Sequence, residues 1–167
     1  MMARAKPAMA LRPFLPADAP WLAEIFRASI EALTGDDYSE AQQTAWASSA
    51  DDEDAFAARL AAGLTLVATI EGSPVGFVSL RYPDTVDLLY VHPGVAGEGV
   101  GTMLLDALER LMAGRGTARL TTDASDSAVG FFERRGYTAQ RRNTVSCQGE
   151  WLANTTMQKQ LAKGSGA

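Results

Sequence analysis

The 167-residue chain predicts an α+β domain built around a mixed sheet, and three observations carry that reading. Apolar residues recur at helical spacing up to about residue 62 and then switch to strand-like runs from Leu64 onward. The turn sequence "EGSP" joins two such runs, so residues 64–80 form a hairpin. Finally, "YVHPGVAGEGVGTMLL" places Gly97, Gly99 and Gly101 between a strand and a strongly periodic helix.

In chain order, "ALRP" reads as a short first strand. Asp18 can cap a helix whose Trp21, Leu22, Ile25, Phe26 and Ile30 share one face. Ser39 is the candidate cap of "EAQQTAWAS", and "DEDAFAARLAA" forms a third helix. "LTLVATI" and "VGFVSL" are the hairpin strands, and "VDLLYV" follows a break at "YPD". Val100, Leu104, Leu108 and Leu111 mark the apolar face of the next helix, with Asp106, Glu109 and Arg110 off it. "ARLTTDA" is a strand, "SDSAVGFFERRG" a short helix closed by Gly136, and "TAQRRNTVS" and "EWLANTTMQKQ" are the last two strands. One domain over residues 9–162 is expected, with flexible ends at 1–8 and 163–167.

With 47% hydrophobic and 21% charged residues the composition is that of an ordinary globular protein. No apolar run approaches the roughly 18 residues that span a bilayer, so no membrane partner is expected. The first twenty residues hold no apolar core before a cleavage site, which makes the cytoplasm the expected address. One cysteine, Cys147, and one histidine, His92, make a disulfide framework and a metal site unexpected. A net charge of −5 argues against nucleic acid and favours a cationic small partner.

A glycine-rich turn between strand and helix brings backbone N–H groups up to an anionic phosphate. Gly94 and Gly99 have P-loop spacing, but Val100 and Gly101 follow where Lys and Ser/Thr are needed. A dinucleotide turn would need glycine at Thr102, and a hairpin precedes the loop instead of a parallel unit. A third pattern matches: Val91-x-Pro93, then Gly99-x-Gly101 opening a helix, resembles the acyl-CoA loop of GNAT-type N-acetyltransferases. Downstream, "SDSAVGFFERRGY" is similar to that family's second CoA motif, an Asn-x-x-Ala before an aromatic pair and a Gly-Phe/Tyr. Residues 9–162 share the likeness, and "DYSEAQQTAWA" and "RRNTV…NTTMQKQL" resemble a bacterial, YafP-like subgroup.

The resemblance implies a GNAT-like fold, a central mixed, mostly antiparallel sheet of about six to seven strands flanked by helices. It implies an acetyltransferase with acetyl-CoA as co-substrate and no metal, acting on a primary amine of a small molecule or peptide by direct attack in a ternary complex. It admits a homodimer. Ala96, Gly97, Glu98, Gly99, Val100, Gly101 and Thr102 would hold the pyrophosphate, while Leu89, Tyr90, Val91, Ser125 and Phe132 would line the pantetheine arm. Ser125 reads equally as a helix N-cap, and Phe131 and Phe132 as core. Ala96 and Glu98 replace the family's polar or cationic residues, which Arg134 or Arg135 can compensate. A CoA-binding regulatory module without catalysis is the alternative function.

Magnitudes order the chemistry. An amine with pKa about 10.4 is neutral only about one part in a thousand near pH 7.4, a cost of roughly 4 kcal/mol. A thiol near 8.5 leaves as thiolate for about 1–2 kcal/mol. The base therefore matters more than the acid. Asp87, on a strand that contacts the acetyl group in the family, is the expected base. Phe132 stands where the family often has the tyrosine acid, which leaves Tyr38 or water. Asp36, Asp37 and Glu40, near the front helices that wall the family's acceptor cleft, are the expected attraction for a cationic amine, and Trp46 can line that cleft.

Overall fold

The computed structural model describes residues 8–161. The remainder of the two expected flexible ends lies outside the described residues. The strands are β1 (Met9–Pro13), β2 (Leu64–Ile70), β3 (Ser73–Arg81), β4 (Thr85–Val91), β5 (Arg119–Ser125), β6 (Thr138–Cys147) and β7 (Glu150–Gln160). The helices are α1 (Ala19–Leu33), α2 (Glu40–Ala47), α3 (Glu53–Ala62), α4 (Val100–Gly114) and α5 (Val129–Arg134). All seven strands form one sheet in the order β1-β2-β3-β4-β5-β7-β6, antiparallel except where β4 meets β5.

Period-two alternation sends successive side chains to opposite faces, and two cores result. Val67 and Phe77 join Leu22, Ile25, Phe26 and Ile30 of α1 and Phe56 and Leu60 of α3 on one face. Their chain neighbours Ala68 and Val78 meet Val100, Leu104, Leu105, Leu108 and Met112 of α4 on the other. Leu111, expected on that buried face, is exposed; Leu105 and Met112 fill the stripe because the true face winds through Leu108 and Met112, i+3 and i+7 of Leu105.

Local chemistry fixes the ends. Ser39 and Gln42 make a reciprocal capping box, Ser39 Oγ accepting from the Gln42 N–H at 3.1 Å and Gln42 Oε1 from the Ser39 N–H at 2.8 Å. Asp52 accepts from the Ala55 N–H and starts α3. The hairpin turn is only Glu71-Gly72, both at positive φ. Asp18 does not cap α1: its buried carboxylate takes two bonds from Arg12, at 2.7 and 2.8 Å, and one from the Leu15 N–H. Helix α5 starts at Val129, four residues later than expected, because residues 125–128 form a turn closed by the Ala128 N–H to the Ser125 carbonyl. Ser125 is thus the end of β5 and not a helix N-cap. Gly136 ends α5 as expected, with the Tyr137 N–H returning to the Phe132 carbonyl.

Two irregularities open the sheet. Ser79 faces Leu88 while Leu80 faces Val86, so Asp87 is an extra residue bulged out of β4. The bulge explains why Val86 and Leu88, two apart, sit in opposite cores. On its other edge β4 pairs with β5 only at Thr85↔Thr121 and Val86↔Thr122. Beyond those two rungs the strands part.

Candidate active site

The parting of β4 from β5 leaves a cleft of about 420 Å³. Its walls come from Asp87 to Tyr90 of β4, Thr122 to Ser125 of β5, Phe132 of α5 and Leu152 to Asn154 of β7, with Tyr38, Trp46, Arg59 and Arg81 over one end.

At the other end lies the glycine loop. Val91 leads through a 3-10 turn at Pro93–Val95 into residues 96–99. Gly97 and Gly99 adopt φ of 80° and 88°, a left-handed conformation that a side chain disfavours. Ala96 and Glu98, both expected in the cofactor loop, spend their N–H groups on the Pro93 and Val95 carbonyls. The N–H groups of Gly97, Gly99, Val100, Gly101 and Thr102 find no acceptor among the described residues, and the first helical bond of α4 is Met103 N–H to Gly99 O. These donors add to the partial positive charge of about half a unit at the head of a helix. Gly101 abuts Val91 and Phe131, which ties the helix head to the β4 side of the cleft.

Arg135 donates to Thr102 Oγ1 and stacks on Phe131 at 5.5 Å from the ring centre. Its Nε is buried with no partner among the described residues. A cation therefore stands beside the loop, where Ala96 and Glu98 provide none.

The proposed catalytic side chains have other engagements. Asp87 is not a free carboxylate: Arg59 Nε and Nη2 donate to its two oxygens at 2.8 and 3.0 Å, and Arg81 Nη1 lies 3.5 Å away. Its side chain is 11% exposed, against 45% for Arg59 and 66% for Arg81. The hydrogen bond to Asp87 pushes the Arg59 guanidinium up from its ordinary value. Tyr38 donates its proton to the Ala153 carbonyl at 2.6 Å and accepts from the Asp126 N–H at 2.8 Å, so that proton is not free for a leaving thiolate. Burial pushes the Tyr38 phenol up, and the Tyr90 phenol further, so both stay protonated at neutral pH.

The remaining residues sort cleanly. Leu89 and Val91 pack toward the α4 core, while Tyr90 joins Phe26, Phe77 and Trp46 on the opposite face. Phe132 is buried between Phe131 and Tyr137 and also faces the cleft. Ser125 lines the cleft, and its hydroxyl has no protein partner among the described residues. Trp46 lines it too, edge-on to Tyr38 at 5.3 Å. His92 accepts from the Gly94 N–H through Nδ1 and caps the 3-10 turn. Asp36, Asp37 and Glu40 stand off the cleft wall, Asp37 accepting from Ser127 at 2.8 Å.

Arg59, Arg81 and Asp123 are cleft residues that the sequence patterns did not single out. Asp123 follows Thr122 as Asp87 follows Val86, each one step past the last rung of a parallel pair.

A mixed sheet split between two parallel strands, with unspent N–H donors on a helix at one end of the split, defines an acyltransferase. Residues 34–161 match the family model described as an acetyltransferase (GNAT) domain, and the chain belongs to that family. It is 35% identical over 147 residues to the uncharacterized N-acetyltransferase YafP of Escherichia coli strain K12, covering 88% of this chain and 93% of that one. A GCN5-related N-acetyltransferase crystal structure from Rhodopseudomonas palustris is 62% identical with a TM-score of 0.90, over 96% of this chain and 99% of that chain. The PaiA N-acetyltransferase of Thermoplasma acidophilum, solved with coenzyme A, has a TM-score of 0.74 at 19% identity, over 92% and 99% of the two chains, and shows the fold alone. No described helix is long and apolar enough to cross a membrane.

Proposed function

We propose that this single domain, residues 9–162, transfers acetyl from acetyl-CoA to the primary amine of a small acceptor. The observation that carries the reading is the set of five unspent N–H donors at the head of α4, at the end of the split between β4 and β5. Gly97, Gly99, Val100, Gly101 and Thr102 would hold the pyrophosphate, with Arg135 beside it. The pantetheine arm would take up the edge of β4 that has no strand partner beyond Val86, near Ser125.

Both substrates bind before transfer. The amine nitrogen attacks the thioester carbon, the C–N bond forms and the C–S bond breaks. The attacking amine is already neutral, its ammonium proton given up beforehand; as the amide forms its nitrogen loses a second proton to water, and CoA leaves as thiolate. No side chain need protonate it, since a thiolate with pKa near 8.5 costs only about 1–2 kcal/mol at neutral pH. That suits a cleft where Phe132 carries no proton and Tyr38 has committed its own.

Asp87 acts as a positioning residue that holds Arg59 and Arg81. The ammonium proton passes, directly or through water, to Asp123. Asp123 accepts one bond, from Thr156 at 2.6 Å to Oδ1, and Oδ2 takes none from a described residue.

Calorimetric titration with acetyl-CoA, with NAD and ATP as controls, tests the first claim: micromolar binding of acetyl-CoA alone is expected, and its absence overturns the assignment. Binding without thiol release for any amine would make the chain a CoA-binding module instead. Asp123→Asn should lower kcat about 100-fold near neutral pH. Its rate should climb toward the wild-type value as pH approaches the amine's own pKa, because the free amine then supplies itself.

A further inference from the structure

The two walls of the cleft carry opposite charge. On the β4 wall two guanidinium groups share one carboxylate, Asp87, which leaves one positive charge over. Arg59 spends Nε and Nη2 on that carboxylate and keeps its Nη1 hydrogens. Arg81 approaches Asp87 at 3.5 Å without a hydrogen bond and keeps its whole planar fork. A guanidinium fork matches a carboxylate through two parallel bonds. On the β5 wall Asp123 has no cationic partner among the described residues and offers Oδ2. Summed over the cleft, Arg59 and Arg81 balance Asp87 and Asp123, so the site is polarised without a net charge.

A cationic amine would meet the surplus guanidinium charge on one side. An anion would meet Asp123 on the other. A zwitterion satisfies both. The placement fits: Asp87 and Asp123 each stand one residue past the last rung, on strands that face each other across the split. The volume is compatible as well, since about 420 Å³ accommodates the thioester end of the acyl donor beside an amino-acid-sized acceptor.

We propose that the acceptor is an amino-acid-sized zwitterion, its carboxylate held by Arg81 with Arg59 and its amine directed to Asp123. This rests on the acetyltransferase reading and replaces the cationic amine expected from Asp36, Asp37 and Glu40, which lie off the cleft.

The test compares free amino acids with their own carboxamides and decarboxylated amines in thiol release from acetyl-CoA. At least one amino acid should exceed its carboxamide in kcat/KM by about 10- to 100-fold, the worth of a charge-assisted hydrogen bond. Arg81→Met, at an exposed position where misfolding is not a concern, should lower the amino-acid rate through KM and collapse that ratio toward one. Preference for the carboxamide or the decarboxylated amine overturns the proposal, as does a ratio that survives Arg81→Met, or acetylation of no amino acid. Titration of the same protein with acetyl-CoA separates the two failures. Binding retained with the wrong acceptor preference sinks the zwitterion alone, whereas loss of acetyl-CoA binding sinks the acetyltransferase reading with it.

Discussion

The two ends of the cleft are made of different material. The loop end is backbone: five N–H groups within six consecutive residues, aimed by the left-handed turns at Gly97 and Gly99. The acceptor end is side chains, with Arg59 from α3, Arg81 from β3, Asp87 from β4 and Asp123 from β5, brought together from 65 positions of sequence. One is a short local construction, the other a product of the whole sheet. Changes at the first should act on cofactor binding and leave acceptor choice alone, and changes at the second should do the reverse.

The largest effect expected is at Gly99. With φ of 88° and a Cβ that would meet nothing within 4 Å, Gly99→Val strains the backbone by about 1–3 kcal/mol without a packing clash. Calorimetry should show acetyl-CoA affinity reduced about 100-fold, and circular dichroism an unchanged fold. Normal affinity would mean that the loop is not the phosphate site. Asp87→Asn comes next. It removes the anion that holds two guanidinium groups and should cost about 1.5–3 kcal/mol in urea unfolding, the range for hydrogen bonds to charged groups. If Asp87 only positions Arg59 and Arg81, KM for the acceptor rises more than kcat falls, and acetyl-CoA affinity stays within about twofold. A collapse of kcat at constant KM would make it the base.

Tyr38→Phe should be milder. It deletes the hydroxyl that ties the start of α2 to Ala153 and Asp126, at about 1–2 kcal/mol of stability. Acceptor KM should change little because the phenyl ring keeps its edge-on contact with Trp46, and turnover at saturating acceptor persists. Abolished turnover at saturation would restore Tyr38 as the acid. A control far from both ends is Asp18. The Arg12 hydrogen bonds hold its carboxyl below the ordinary carboxylate range, so its stabilising effect is full above about pH 4 and fades as pH falls through the lowered value. In urea unfolding, Asp18→Asn should separate from wild type at pH 7 and converge with it toward pH 2, with no change in acetyl-CoA affinity.

The same contrast explains what could be read from the chain. Seven strands and five helices were legible because each follows local rules: the cap at Ser39, the turn sequence "EGSP" between β2 and β3, the apolar stripe of α4. The glycine loop was legible too, since a backbone site leaves its mark in one stretch. Ala96 and Glu98 spend their N–H groups inside that loop, because a tight turn consumes donors and writes no residue pattern. Asp87 was found as a residue but not as an ion pair, because its partners lie 28 residues before it on a helix and six residues before it on a strand end. A lone arginine in "AARLAA" gives no sign of a carboxylate three elements away. Register decides such meetings, and register is a property of paired strands.

Two rungs between Thr85–Val86 and Thr121–Thr122 are the whole parallel seam of the sheet. The core under α4 spans that seam, but past it the two lips have no ladder between them, and whatever threads there acts as the missing fastening. Occupancy should therefore register as slower amide hydrogen exchange along both lips, residues 87–91 and 123–125, and as a melting temperature that climbs with the logarithm of acetyl-CoA concentration. The opening that admits the donor is also the part of the protein that the donor most firmly shuts.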